Sequence, residues 1–559
     1  AKAPISPKAR SAPKAAPVGR ARLPAMRQPR SVEEYVASSS QHLLSIPGTP
    51  WLTWKTADCE QDYRQLKSGE FFNHFQQNRV LTTKAGLAQC LKEHSLGGVN
   101  ADAFFPRCYD LSGKSEREDF VLDFRRCAAL KVALLHRRLH RDQQDGVNTT
   151  YQCNETLVRA CGSVLTRWVL DLDPEHLDEE GKEPRSFSEE TWDALLLYSD
   201  LDQSQILSRL AKRKRKGEEE PMLQEWPEFI SHRWGTLDDE SHNRLEDVLT
   251  RLEGLFPQWS LQGGWLGQNV WIVKPGTNSK GSGIECMRSL PQLLQHCERM
   301  PNRIVQKYIE RPLLLFSGRK FDIRQWVLVR SVRPLKVFLF SECYLRLCNG
   351  MYDLGDLQDR ERHISNWQVN KHGKNVVEGA VVSLQDFKAE LSELTGCEDY
   401  WESELLPQLK HIVIEVLRSA ESRLEQRAES FELLGFDVMV DEAMKMWLLE
   451  VNLSPGCEGR TNFLERMLSR MSHRLIEVAV LGQEEPDGEE PDWIKICDDT
   501  GTNSGQTDAP RPADLSIQGT PLRPKAGKSA GYGIRESQAE RPMQAEKPQP
   551  EEVVPQQQL

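Results

Sequence analysis

Asp437, Glu450 and Asn452 are the residues of this chain best suited to chemistry. They interrupt two short apolar runs, residues 431–440 (FELLGFDVMV) and 446–451 (MWLLEV), on either side of a polar turn at Asp441 and Glu442. Two such runs about a turn predict an antiparallel hairpin. Folding it about residues 442–444 brings Asp437 nearly opposite Glu450. Asn452, two residues beyond Glu450, shares its face. Three oxygen-bearing side chains then converge at the end of a two-stranded sheet, a set that suits a magnesium ion completed by substrate phosphates. The alternative is a patch of solvent-facing polar residues, although an unpaired charge within an apolar strand is costly.

A second set follows the strand predicted at residues 269–273 (NVWIV) and reads Lys274-Pro275-Gly276-Thr277-Asn278-Ser279-Lys280-Gly281-Ser282-Gly283-Ile284. Its glycines let backbone N–H groups approach phosphate oxygens, and Lys274 and Lys280 can neutralise them. The GxxxxGK[ST] spacing of a Walker loop is absent, and a Gly/Ser/Asn/Thr loop standing alone is usually only a turn. Residues 303–309 (RIVQKYI) predict another strand. Within it, Gln306, Lys307, Tyr308 and Ile309 can bond an adenine edge through the backbone and cover the ring with apolar side chains, or can be plain core.

Residues 321–332 (FDIRQWVLVRSV) and 335–347 (LKVFLFSECYLRL) flank Arg333-Pro334 and predict a further antiparallel hairpin. Lys320, Asp322 and Arg324 alternate onto one face of its first strand, and pairing about the turn puts Arg346 near Asp322. Arg forks match phosphate geometry, so this cluster can hold triphosphate and acyl-phosphate oxygens. It equally suits an ordinary salt-bridged sheet face.

The elements that must position these residues differ along the chain. Residues 33–262 read as mostly helical. In residues 120–141 and 188–198 apolar positions recur three and four apart, and Ser188 followed by Glu189 and Glu190 marks a helix start. Residues 263–482 read as the strand-rich core, with a helix at 405–425 just before the second hairpin. Residues 1–32, rich in Ala, Pro, Lys and Arg, predict a disordered basic arm, and residues 483–559 a disordered tail. With 559 residues and 38% hydrophobic content, a folded part of roughly 400 to 450 residues is expected.

A net charge of −11 argues against nucleic-acid binding by the whole chain. The basic arm and the basic run at residues 209–216 can still attract an acidic partner. Thirteen cysteines show no CxxC pair or Cys/His cluster, which argues against a zinc site or disulfide framework and for a reducing compartment. No apolar run reaches the roughly 18 residues that span a bilayer, and no apolar signal segment opens the chain. A cytosolic or cytoskeletal protein without a membrane partner is expected. The missing initial Met leads us to expect a fragment.

Taken in order, KPG-N-S-G-GI, VQKYI, KFDIRQW and GFDVMV–LLEVNLSP resemble the tubulin-tyrosine-ligase-like family over residues 104–481. That resemblance implies an ATP-grasp fold, α/β (α+β) in class, with mixed or antiparallel sheets. Residues 321–326 (FDIRQW) and 104–109 (FFPRCY) are similar to the tubulin glycylase branch. Residues 449–455 (LEVNLSP) are nearer the glutamylase form, and residues 363–371 (HISNWQVNK) stand between the branches.

The resemblance implies roles. Lys274 contacts phosphate, in a loop continued by Lys280, Gly281, Gly283 and Ile284. Gln306, Lys307, Tyr308 and Ile309 cradle adenine. Lys320, Asp322 and Arg324 face the triphosphate and acyl phosphate, with Arg346 beside them. Asp437, Glu450 and Asn452 hold magnesium, and Asn366 and Lys371 line the nucleotide or amino-acid site. Arg324, Arg346 and Lys371 are the residues expected to act in catalysis.

The implied activity is ATP- and Mg2+-dependent ligation of an amino acid, glycine favoured, to a glutamate side chain in the acidic C-terminal tail of tubulin, through an acyl phosphate. The implied setting is a monomer in the cytoplasm and cytoskeleton, at the axoneme of a cilium or flagellum. Glutamyl or tyrosine ligation, a microtubule-binding relative without catalysis, and a small-molecule ligase are the other readings. The arm and the AKRKRK run are candidate tubulin contacts through salt-sensitive attraction, or solvated linkers.

Overall fold

The computed structural model describes residues 51–57, 59–146, 153–173, 187–200, 234–235, 237–276, 281–370, 380–453, 461–484 and 491–501. The basic arm, the 209–216 run, Lys280, Lys371 and most of the expected tail lie outside the described residues.

Helix α1 (Lys84–Leu96) begins where Thr83 accepts the Gly86 N–H. Strand β1 (Cys108–Asp110) leads into the long helix α2 (Lys114–Gln144). Helices α3 (Glu155–Leu172) and α4 (Glu189–Asp200) pack on α2, and α5 (Asp239–Leu255) packs on α3, around Leu130, Leu157, Leu195 and Leu249. Their starts follow local chemistry: Asn154, Ser188 and Asp238 each accept a first-turn N–H. The expected helical character of this stretch is observed, with short strands among the helices.

The same core continues under a four-stranded antiparallel sheet of β1, β2 (Trp271–Pro275), β3 (Glu285–Met287) and β4 (Arg303–Lys307), in the order β1-β4-β2-β3. Trp271, Val273 and Val305 meet Phe120 and Phe124 of α2 and Leu293 of α6 (Leu290–Arg299). Arg107, just ahead of β1, forks Asp123 at 2.5 and 3.1 Å and lies 5.0 and 5.4 Å from the ring centres of Phe256 and Trp271. It ties the helices to the small sheet.

The second sheet is built on β5 (Arg319–Ser331). One edge of β5 carries β6 (Lys336–Phe340) and then β7 (Tyr344–Met351), and the other carries β9 (Glu432–Val440). The run expected as one strand over residues 335–347 is therefore broken at Ser341–Cys343, but both halves stay in register with β5. Short β8 (Val381–Ser383) flanks β7, and β10 (Met446–Asn452) pairs β9.

The two faces of β5 divide the work. Phe321, Ile323, Val327 and Val329 enter a core shared with Leu409, Ile412, Val413 and Val416 of helix α8 (Leu406–Ala420), beside Phe387 of α7 (Leu384–Thr395). On the opposite face Trp326 and Leu328 meet Leu464, Leu468 and Met471 of α9 (Asn462–Ala479). Each such fully buried side chain contributes about 1.5–3 kcal/mol. Earlier on that second face stand Lys320, Asp322 and Arg324, where apolar packing gives way to a cleft.

One expectation needs correcting. The tail expected from residue 483 contains strand β11 (Trp493–Asp498), which pairs β6 antiparallel. Trp493 is buried, with its ring 5.2 Å from that of Phe340. A six-residue strand within Pro- and Glu-rich sequence is too short to shift composition, so composition hid it. Among the described residues no helix is long and apolar enough to cross a membrane.

Candidate active site

The two sheets face one another across a cleft. Ile272, Lys274, Ile284, Gln306 and Lys307 line it from the small sheet, Tyr308 and Ile309 from the link that leaves β4 for the large sheet, and His363, Ile364, Ser365 and Asn366 from the stretch between β7 and β8. The large sheet supplies Lys320, Asp322, Arg346, Asp437, Met439, Leu449 and Glu450. Twelve predicted residues thus meet in one place, while Arg324 and Asn452 stand directly on Asp437. Gly281 and Gly283 lie at the edge with φ of +84° and +67°. A Cβ on Gly281 would come to 3.0 Å from Val369 Cγ2 and 3.1 Å from Asn366 Cβ. The Arg360 guanidinium donates to Gly281 O, and Arg303 Nη1 donates to Gly283 O at 2.5 Å, so this end of the loop is pinned.

The hairpin register is the expected one. Asp437 lies opposite Glu450 and Gly435 opposite Asn452. Leu448 pairs Val438 and Glu450 pairs Asp437, which leaves Leu449 unpaired in a bulge and turns both Leu449 and Glu450 to the cleft.

A buried network of opposite charges forms the floor. Arg324 Nε and Nη2 donate to Asp437 Oδ1 and Oδ2 at 2.5 and 3.1 Å. Arg346 Nε and Nη2 fork Asp322 at 2.7 and 2.8 Å, and Nη2 also reaches Asp437 Oδ2 at 2.7 Å. Asn452 Nδ2 adds a bond to Asp437 Oδ2 at 3.1 Å, and Ser365 Oγ donates to Asp322. Burial pushes the Asp437 carboxyl up, but Arg324 and Arg346 together hold it well below the usual carboxylate range. Nη1 of each arginine makes no hydrogen bond among the described residues.

These residues fit a magnesium ion that arrives with phosphates. Asp437 Oδ1, bonded once, keeps an acceptor site, and Asn452 Oδ1 makes no hydrogen bond among the described residues. Among the described residues Glu450 pairs with no arginine; its ion-pair partner there is Lys84, 2.9 Å away. Among the described residues no group of three or more His, Cys, Asp or Glu is disposed to hold a metal. Magnesium needs one or two carboxylates once substrate oxygens are present, and Glu450 and Asp437 Oδ1 are the carboxylate oxygens at this place.

The lysines divide into two kinds. Lys274 Nζ donates to Gln306 Oε1 at 2.6 Å, and Gln306 Nε2 to Pro106 O at 3.0 Å. Burial lowers the Lys274 ammonium to about 8, against the pull of Glu450 and with the help of Lys84. Lys307 borders the cleft, but its ammonium is committed elsewhere, to Glu310 Oε1 at 2.5 Å and Val270 O at 3.0 Å. Lys320 Nζ donates to the Tyr308 hydroxyl at 2.7 Å. That hydroxyl lies 2.9 Å from His363 Nδ1, and His363 Nε2 lies 2.9 Å from Asp356 O. Asp356 O can only accept, so Nε2 carries the proton and Nδ1 accepts from Tyr308. Burial lowers both Lys320 and His363.

Sequence reasoning missed Lys84, Glu310, His363 and Ser365. Glu310 accepts the N–H groups of Gln268 at 2.6 Å and Val270 at 2.8 Å, closing the link beside Lys307. An acid directly after VQKYI was its available signal. Lys84 carried none beyond a cation at a helix start.

The Tubulin-tyrosine ligase family sequence model matches residues 198–488, just over half of the chain. "Tubulin glycylase 3E" of Tetrahymena thermophila is 31% identical over 483 residues, covering 76% of this chain and 34% of the relative. "Tubulin monoglycylase TTLL3" of Mus musculus is 30% identical, covering 77% and 47% respectively. "Protein monoglycylase TTLL8" of Homo sapiens is 29% identical, covering 77% and 52%. The chain thus spans about a third to a half of the length of these relatives.

Proposed function

Because the chain belongs to the tubulin-tyrosine ligase family, we propose that it is an ATP- and Mg2+-dependent ligase that joins the amine of glycine to a glutamate side-chain carboxylate in the acidic C-terminal tail of tubulin. The observation that carries this reading is the meeting of Lys274, Lys320, the two arginines and Glu450 around one cleft between two sheets. Glycine is favoured because the relatives above are named as glycylases.

A carboxylate acylates poorly because oxide is its leaving group. Transfer of the γ-phosphoryl group from ATP to a carboxylate oxygen gives an acyl phosphate and ADP. The neutral amine then attacks the carbonyl carbon, the C–O bond to phosphate breaks, and an amide, inorganic phosphate and a proton result. Negative charge gathers on the transferring phosphoryl oxygens, and preorganised cations stabilise it. Lys274 and the uncommitted Nη1 groups of Arg324 and Arg346 supply that charge. Asp322 and Asp437 hold the two guanidinium planes in place. The backbone of Gln306, Lys307, Tyr308 and Ile309 flanks the base, while Asn366 and Lys371 meet the nucleotide or amino acid.

Glu450, Asn452 Oδ1 and Asp437 Oδ1 would hold magnesium, which when bound neutralises phosphate oxygens. Among the described residues none stands out as a general base, and the attack rests on positioning of a neutral amine. The setting that follows is microtubules, ciliary axonemes included, with the protein acting as a monomer.

The test is incorporation of labelled glycine, glutamate or tyrosine into purified tubulin, read by mass spectrometry of tail peptides. Glycine incorporation that needs both ATP and Mg2+ is the expected result. Glutamate in its place makes the protein a glutamylase. No incorporation together with retained microtubule binding makes it a non-catalytic relative.

A further inference from the structure

Lys84 lies far ahead of the site motifs, yet its ammonium is 2.9 Å from Glu450 Oε2, with side-chain exposures of 9% and 20%. It is the first residue of α1, where the partial positive charge of the helix end disfavours a cation. The first turn of α1 holds no acid to offset it. Tertiary contacts fix its place instead. The corner ahead of α1 closes on Gly86, where a Cβ would meet Arg79 O at 2.7 Å and Val80 O at 2.8 Å. The Lys84 N–H donates to Gly276 O at 3.2 Å. Asp437 and Asp322 are already matched by two arginines. Among the described residues Glu450 is the cleft carboxylate without a guanidinium, and Lys84 is its ion-pair partner.

We propose that Lys84 is the resident counter-ion of Glu450 in the nucleotide-free protein, displaced when a divalent cation arrives with nucleotide. The inference rests on the reading of Glu450 as a metal-holding residue. A lone divalent cation entering this cleft gains Glu450 and an oxygen of Asp437 whose charge two arginines already match, but must expel an ammonium and face Lys274 and Lys320. A cation carried on a triphosphate brings anionic oxygens that those lysines attract. Lys84 therefore makes metal entry conditional on nucleotide and keeps Glu450 turned to the cleft meanwhile.

The experiment titrates Mn2+ into the full chain, with and without the ATP analogue AMP-PNP, and reads free Mn2+ by electron paramagnetic resonance. The proteins are wild type, K84M, K84R, E450Q and K84M/E450Q, each checked by thermal melt. K84M should bind Mn2+ about fivefold more tightly than wild type, the size of a partly exposed ion pair, and should gain binding without nucleotide. K84R should match wild type, and K84M should add nothing on an E450Q background. Folded K84M with unchanged or weaker Mn2+ affinity, while E450Q still abolishes binding, overturns this inference and leaves the metal role of Glu450 standing. Mn2+ binding indifferent to E450Q overturns both.

Discussion

Arg346 on β7 reaches over β5 to Asp437 on β9, with Nη2 2.7 Å from Oδ2, while its fork closes on Asp322 of the strand between. One guanidinium thus binds carboxylates from two other strands. Removing it leaves both buried and under-matched, the costly half of a buried ion pair. Arg346→Ala should destabilise the protein by about 3 kcal/mol in urea unfolding. Arg346→Lys keeps the charge but not the fork. It should stay folded and lose ligation about a hundredfold, a loss typical of one preorganised donor.

Glu450 is the reverse case. It is one-fifth exposed and paired with the buried Lys84, whose ammonium a glutamine oxygen can still accept from, so Glu450→Gln should cost about 1–2 kcal/mol of stability. Ligation should nevertheless fall to background. Normal turnover by a folded Glu450→Gln protein would defeat the assignment of this carboxylate to magnesium.

Nucleotide affinity should depend on pH through Lys274. Its ammonium is lowered to about 8 by burial, so it is charged at about pH 7 and mostly neutral at about pH 9. Binding of AMP-PNP, measured by calorimetry, should weaken by up to roughly tenfold over that interval. Lys274→Met should bind weakly at both values and lose the slope.

Stability should carry a different pH signature, from the helices. The His136, His140 and His242 rings cluster between α2 and α5, with His140 and His242 ring centres 3.7 Å apart. Burial, reinforced by His242 and His140, lowers His136 to about 3. The unfolded chain therefore binds a proton that the folded one refuses. Stability is full above about 6.5 and is lost as pH falls toward about 3, by about 2 kcal/mol at about pH 5. Urea midpoints at about pH 7.5 and about pH 5 should show this loss in wild type and a smaller one in His136→Gln.

The parts of the site legible in the sequence are those set by local geometry. Asp437 opposite Glu450 and Arg346 opposite Asp322 both follow from a turn and the two-residue period of strands. The break at Ser341–Cys343 did not spoil the second pairing, because β6 and β7 both run along β5. Contacts between distant segments left no such mark. Lys84 meets Glu450 through the packing of α1 on the large sheet, and nothing in the residues around either announces it. The commitment of Lys307 to Glu310 was hidden for a related reason: strand alternation gives a side chain's face, not its partner. The sequence also offered Arg324 and Arg346 as phosphate ligands. It did not reveal that two buried aspartates already occupy most of their donors.

Strand β11 has a practical consequence for anyone shortening this protein. Cutting at residue 483, where composition changes, would strip β6 of its neighbour and take Trp493 off Phe340, beside a row of unpaired N–H and C=O groups. Such an edge templates pairing with other chains and drives aggregation. Expression boundaries drawn beyond residue 501 keep that edge sealed and should separate soluble preparations from inclusion bodies.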